Sequence, residues 1–373
     1  MMRWQSGMRY LGFGLLLGSA TMAIAAPATP PRQLDIVKRI AKAKPEAKDE
    51  ASARTSYLLV YFKDETHSLH FATSADGYSF TDVNDGAPVL NGRDVAEQKG
   101  IRDPYIMRGP DNAFYLAMTD LHIFARREGL RDTDWQRPTD SYGWGNNRSM
   151  IFMKSYDLTH WTLASVTIDR LFKSTANAGT AWAPEMIYDP DKRKIMVYFS
   201  TRNGKETDHM VYAYADDAFT TLTSEPRDLF TYPKPGIGTI DGDITRVGDR
   251  YRLFYVAHDK PGHLRQATSS RMDGGYVFDP AKIDPETVGT EAPNLWRRHG
   301  TDTYVLMYDV FGAKPVNNMG FSETEDFVHF RDIGHFNAPG SPMKATNFTQ
   351  PKHGAVIPIT PAEAERLKTF FRK

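Results

Sequence analysis

Five short segments, far apart in the chain, each bring an acid or a histidine to the head of an apolar run: RDPYIM at 102–107, APEMIYD at 183–189, DGDITRV at 241–247, EAPNLWR at 291–297 and HGAVIPI at 353–359. If each opens a strand and the five strands line one axis, Asp103, Glu185, Asp241 or Asp243, Glu291 and His353 meet in a single pocket. Carboxylates gathered this way repel one another unless some are protonated, hydrogen-bonded or bound to a cation, which is the circumstance that separates acid from base roles. Breaking a glycosidic bond needs such a division: one protonated carboxylic acid to release the leaving group and one carboxylate to activate water or attack. A third carboxylate can orient the acid and keep its pKa high. The plainer alternative is that an Asp at a turn only satisfies backbone amides.

The elements that must position these residues read as strands. From Tyr57 onward, runs of about four to seven apolar or aromatic residues recur between Gly, Asp, Asn and Pro. Examples are YLLVYF at 57–62, NAFYLAMT at 112–119, KIMVYFS at 194–200, YRLFYVAH at 251–258 and TYVLMYDV at 303–310. Each unit ends in a phrase that sets an aromatic after an acidic turn, such as SADGYSF at 74–80, SYDLTHW at 155–161 and ETEDFVHF at 323–330. Units of this kind cannot bury both faces alone and must stack radially or in two layers. The fifth opening, at 353, has too little strand sequence after it, whereas 57–83 has strands with no opening before them. Pairing the two closes a ring, so the pattern predicts an all-β, five-bladed β-propeller. A β-sandwich would leave the five similar openings unexplained.

Residues 120–148 interrupt the first unit with a long insertion that includes His122, Trp135, Trp144 and Arg148. A long aromatic loop on a rigid β scaffold is expected to face a ligand. A short C-terminal helix is expected from Pro361 to Phe370, capped by Thr360 and serving to pack.

Composition narrows the function. The 373 residues carry 46 basic and 46 acidic side chains and no cysteine, which excludes a cysteine nucleophile and a disulfide scaffold. Near-zero net charge argues against broad capture of nucleic acid and suits a neutral substrate. Arg3, Arg9, the apolar stretch Leu11 to Ala20 and Ala23-Ile24-Ala25 read as a secretory signal over 1–25, too short to span a membrane comfortably. Residues 26–55 then read as a tether with a short charged helix, and 56–373 as the propeller. The expected location is secreted or periplasmic, with no membrane attachment after cleavage.

At the same five positions the sequence resembles glycoside hydrolase family 43. The resemblance runs from about 57 to 360 and is carried in order by RDPYIMRGPDNAFYLAMTD, AWAPEMIYDPDKRKIMVYFS, TIDGDITRVGDRYRLFYVAHD, TEAPNLWRRHGTDTYVLMYD and KHGAVIPIT. It implies a five-bladed propeller that hydrolyses furanosides or xylosides with inversion. Residue by residue, it implies that Asp103 is the general base, Glu291 the general acid and Asp241 the carboxylate that raises the acid's pKa and orients it. Base and acid would then stand about 6.5–9.5 Å apart. Asp243 competes for Asp241's role, because two residues on an extended strand share a face. Glu185 departs from the simplest family picture and is expected to bind a sugar hydroxyl or support a neighbour.

Trp182 offers a flat face to a sugar ring, or else fills the blade core. Arg102 and Arg148 could bond sugar hydroxyls or pair with Asp103 and Glu291, and His122 is a lesser pocket candidate. His353 is expected near an axial ion or water, which leaves room for a bound Ca²⁺ or other ion although no cofactor is required; no multi-carboxylate loop supports a calcium site independently. The expected substrates are oligosaccharides or polysaccharide side chains. The phrases look closest to exo-acting α-L-arabinofuranosidases, with β-D-galactofuranosidase and β-xylosidase as alternatives, and a non-catalytic sugar-binding propeller as the reading from a different class.

Overall fold

The computed structural model describes residues 31–40 and 53–372. The expected signal segment and most of the charged stretch before Ala53 lie outside the described residues. Part of the stretch expected as a tether does have a place: Asp35–Ile36 adds a short parallel strand beside His160 and Trp161.

Five sheets, antiparallel apart from a short parallel edge strand in two of them, form the five blades of a propeller. Their inner strands are Ile101–Arg108, Trp182–Asp189, Thr239–Val247, Thr290–Arg297 and Lys352–Ile359, which define blades one to five in that order. The fifth blade takes three strands from the front of the chain, Ser56–Phe62, Leu69–Ser74 and Ser79–Asp82, with Lys344–Ala345 added in parallel at its outer edge. Ser56 pairs with Ile359 and Phe62 with Lys352, so the ring closes as the unmatched strands required.

The second strand of each blade is apolar on both faces because it is sandwiched between neighbouring blades. FYLAMTD at Phe114–Asp120 is buried along its whole length. Five hydrophobic clusters result, one for each interface between blades; Leu58, Phe71, Ile151 and Trp161 meet between blades five and one, for example. The acidic phrases at the ends of the third strands have a local cause. In SYDLTHW the Ser155 hydroxyl accepts the Leu158 N–H (2.9 Å) and Asp157 Oδ1 accepts the N–H groups of Thr159 and His160 (2.9 and 2.8 Å). Thr324 and Asp326 repeat this arrangement in blade four. The turn satisfies its own amides and throws the next aromatic, Trp161 in blade one, back into the core.

The C-terminal helix runs Pro361–Phe371 and starts with a capping box between Thr360 and Glu363. Leu367 and Phe371 pack into the cluster between blades five and one. Among the described residues no helix is long and apolar enough to cross a membrane.

Every inner strand carries an irregularity near its start, where the register to the second strand shifts. At that point one residue adopts a left-handed backbone: Asp103 (φ 50°), Ala183 (45°), Asp241 (53°), Ala292 (60°) and His353 (24°). The residue after it is Pro104, Pro184, Gly242, Pro293 or Gly354. Proline suits a bulge because it has no N–H to lose from the ladder. In the fifth strand glycine is required, since a Cβ on Gly354 would stand 2.1 Å from the Val60 carbonyl oxygen.

Candidate active site

The shared bulge aligns the five strands and sorts their side chains into three levels. The outer level, just before the left-handed residue, holds Arg102, Trp182, Ile240, Glu291 and Lys352. The middle level is the left-handed residue itself: Asp103, Ala183, Asp241, Ala292 and His353. Two residues deeper come Tyr105, Glu185, Asp243, Asn294 and Ala355. The carboxylates expected at one height therefore occupy three.

In the middle level, His353 Nδ1 lies 3.2 Å from Asp103 Oδ1. Burial alone would raise Asp103, but the charge and hydrogen bond of His353, followed by Arg102, bring it down to about 2. Burial would likewise depress His353, and Asp103 reverses this, holding the imidazolium to about 9. Asp241 takes an N–H from Ala292 on its Oδ2 (3.1 Å). Burial pushes it up to about 7; His353 opposes the rise, while the charges of Glu291 and Asp103 add to it. The level thus sets an ionised carboxylate beside a carboxyl that holds its proton to neutrality.

Glu291 stands at the outer level with its side chain 22% exposed, and Lys352 Nζ lies 3.4 Å from its Oε1 and 3.5 Å from Asp309 Oδ2. Asp309 also accepts the backbone N–H of His353 (3.1 Å), and burial raises it to about 6. Arg102 donates to Asp64 Oδ1 (2.8 Å) and lies over the Phe62 ring. Asn317 reaches the other oxygen of Asp64 (3.3 Å), which ties the loop after Val310 to the same wall.

The deep level is a closed polar network. Tyr198 donates to Glu185 (3.1 Å) and accepts the Ile244 N–H (2.9 Å). Asp243 accepts the Leu295 N–H (2.7 Å), and burial pushes it to about 7. Burial and the nearby Asp243 drive Glu185 well above its ordinary range. Asp241 and Asp243 do share a face, as both accept from the fourth inner strand, but they do so three residues apart. Only Asp241 stands at the height of Asp103 and feels the charge of Glu291. Glu185 supports Tyr198 beneath the pocket.

Two expected pocket residues are engaged by other partners. Arg148 does not pair with Asp103 or Glu291: its Nε donates to Asp169 (2.7 Å), bracing the insertion against blade one. His122 is buried flat against His67, with ring centroids 3.8 Å apart. Its Nδ1 accepts the Phe124 N–H and its Nε2 faces Glu128 at 3.4 Å, so neither nitrogen is left for a sugar. Burial lowers it to about 4, which keeps the stacked ring neutral. Trp182 is half-buried, and its indole N–H donates to the Gly145 carbonyl (2.9 Å). His353 turns its Nδ1 to Asp103. Among the described residues no group of three or more His, Asp or Glu could hold a metal ion.

Sequence reasoning missed Lys352, Asp309 and Asp64. A usable signal was present: aligned on the Pro or Gly after the bulge, Lys352 falls opposite Glu291 and Arg102, while Glu185 falls opposite Asp243.

The His353–Asp103 pair makes stability depend on pH. His353 binds a proton in the native state that an unfolded histidine, with a pKa of about 6.5, has lost above neutrality. Its contribution is complete below that value and disappears as the pH climbs through about 9. Asp103 works in the opposite window: its contribution is present above about 3.9 and is lost as the pH falls through about 2. Asp241 and Asp243, both raised to about 7, are only half deprotonated at that pH and add to the loss of stability just above it. The midpoint of thermal unfolding should therefore fall between pH 7 and 9, and His353→Gln should flatten that slope. An unaltered slope in the variant would show that the pair carries no such linkage.

A five-bladed propeller that holds ionised and protonated carboxyls side by side at one axial mouth has the equipment of a glycoside hydrolase. Residues 52–365 match the family described as a probable glycosyl hydrolase domain related to glycoside hydrolase family 43. The chain belongs to this family, and its propeller is a catalytic glycoside hydrolase domain. A curated α-L-arabinofuranosidase of Bifidobacterium longum subsp. longum is 25% identical over 354 residues, covering 78% of this chain and 30% of that protein. The chain thus spans under a third of the relative's length. Among solved structures, an α-L-arabinofuranosidase of Clostridium thermocellum is similar with a TM-score of 0.49 at 12% identity, over 76% of this chain and 84% of that one. An exo-1,5-α-L-arabinanase from a bovine ruminal metagenomic library gives 0.49 at 15% identity, over 74% and 93%.

Proposed function

We propose that this domain is an exo-acting, inverting glycosidase, exported by its N-terminal segment, that releases terminal α-L-arabinofuranosyl units from oligosaccharides or polysaccharide side chains. The observation that carries the reading is the level shared by Asp103 and Asp241, one position deeper along the inner strands than Glu291. Asp103, ionised by His353, accepts a proton from water as the water oxygen bonds the anomeric carbon. The glycosidic C–O bond breaks on the opposite face, and the departing oxygen takes the proton of Glu291, the carboxyl that reaches outward. Asp241, which feels the charges of both, is assigned to orient the acid. One displacement leaves the sugar with inverted configuration. The arabinofuranosyl assignment is supported by the name of the curated relative.

The test is a panel of aryl α-L-arabinofuranoside, β-D-galactofuranoside and β-D-xyloside substrates, with the anomer first released followed by proton NMR. Turnover of the arabinofuranoside with inversion is expected. Preference for another sugar would reassign the substrate, and a retained anomer would overturn the single-displacement mechanism.

A further inference from the structure

Trp144, in the insertion, is 60% exposed, which is uncommon for so large an apolar side chain. The backbone beneath it is firmly held. Arg202, anchored on Asp208 (3.2 Å), donates to the carbonyl oxygens of Tyr142 (3.0 Å) and Trp144 (2.5 Å). The next residue, Gly145, has φ +67°, and a Cβ there would come within 2.7 Å of the Trp182 ring. Only glycine lets the chain lie this close to Trp182, whose N–H its carbonyl accepts. Trp144 meets Trp182 edge to face (centroids 6.0 Å apart, 74°) and Trp135 likewise (5.2 Å, 67°). Beyond Trp144 opens a groove of about 540 Å³ between Phe124, Trp135 and the ion pair of Arg126 with Asp134 (3.0 Å).

This ledge begins at the candidate active site. Trp182 is the outer-level residue of the second inner strand, and the N–H of the following Ala183 donates to the Thr119 hydroxyl (2.8 Å), which also bonds Asp103. Aromatic faces suit the C–H faces of sugar rings, and a rim whose charges are already paired offers hydrogen bonds without selecting a charged ligand. We propose that Trp182 and Trp144, the latter backed by the buried Trp135, form a subsite for the sugar residues that adjoin the one released, so that the insertion recognises a neutral oligosaccharide chain. The proposal rests on the glycosidase reading above and assigns its leaving-group side.

Binding separates the two ideas. In a Glu291→Gln background, which is expected to slow turnover of oligosaccharides, calorimetry would compare trisaccharides of α-L-arabinofuranosyl, β-D-galactofuranosyl and β-D-xylosyl units with the matching monosaccharides. One trisaccharide should bind at least about tenfold more tightly than its monosaccharide, and Trp144→Ala should remove about that factor, with Trp144→Phe intermediate. Thermal unfolding of the variants checks that the fold is kept. If the parent turns over aryl glycosides but Trp144→Ala binds the trisaccharide as tightly as before, the subsite is overturned and the glycosidase stands. If no aryl glycoside is cleaved yet trisaccharide affinity depends on Trp144, the subsite stands and the proposed reaction falls. Failure of every trisaccharide to bind more tightly than its monosaccharide overturns the subsite outright.

Discussion

Asp103→Asn is expected to lower kcat by about 10²–10⁴-fold on whichever glycoside the domain cleaves, with little change in KM. The amide keeps the size and polarity of the side chain but cannot take a proton from water. The loss should be equal for every leaving group, because water activation is needed whatever departs. Glu291→Gln should behave differently. It should cost a similar factor on a natural oligosaccharide, whose alkoxide leaves poorly without a proton, and far less on a dinitrophenyl glycoside, whose leaving group departs unaided. Steady-state kinetics of both variants on one oligosaccharide and on aryl glycosides of graded leaving-group pKa make the comparison. A Glu291 variant whose loss ignores the leaving group, or an Asp103 variant at the parent's rate, would remove these residues from the assigned roles.

The second large effect concerns the fold. Trp161→Ala is expected to destabilise the domain by about 3–5 kcal/mol, as for large-to-small changes in packed cores. Trp161 is fully buried, packs against Phe71 across the interface of blades five and one, and donates its indole N–H to the Leu158 carbonyl (2.8 Å). Truncation removes the ring from that cluster and leaves a buried carbonyl without its donor. Denaturant unfolding of the parent and variant measures the difference. A cost below about 1 kcal/mol would mean that this interface repacks freely around the gap.

The propeller was legible because its signals are local and repeated: apolar second strands, acidic turns before aromatics, and a final inner strand without partners. Ring closure followed from counting strands, and the C-terminal helix from its cap, Thr360. Depth along the axis was harder to read. A left-handed residue at each bulge offsets the strand by one position, so Glu291, which precedes its bulge, and Glu185, which follows it, looked equivalent when matched on their acids. The engagements of Arg148 and His122 were hidden for another reason. Their partners, Asp169 and His67, are distant in the chain, and nothing in the local sequence announces them. Lys352 carries none of the acid or histidine signal that marks the other openings and directly precedes His353.

The closure of the ring has a mechanical consequence. Ser56 and Ile359 form the first rung of the closing strand pair, and Phe62 and Lys352 form the last, next to the carboxylates. A pull on the two chain ends therefore peels this pair open one rung at a time, starting from the face away from the pocket. The helix Pro361–Phe371 clamps that starting point, with Arg108 gripping Glu363 at 2.6 Å. Lys352 and His353 are the final teeth of the zipper, so the fraying to which chain ends are prone must travel the whole length of the strand before it disturbs the site.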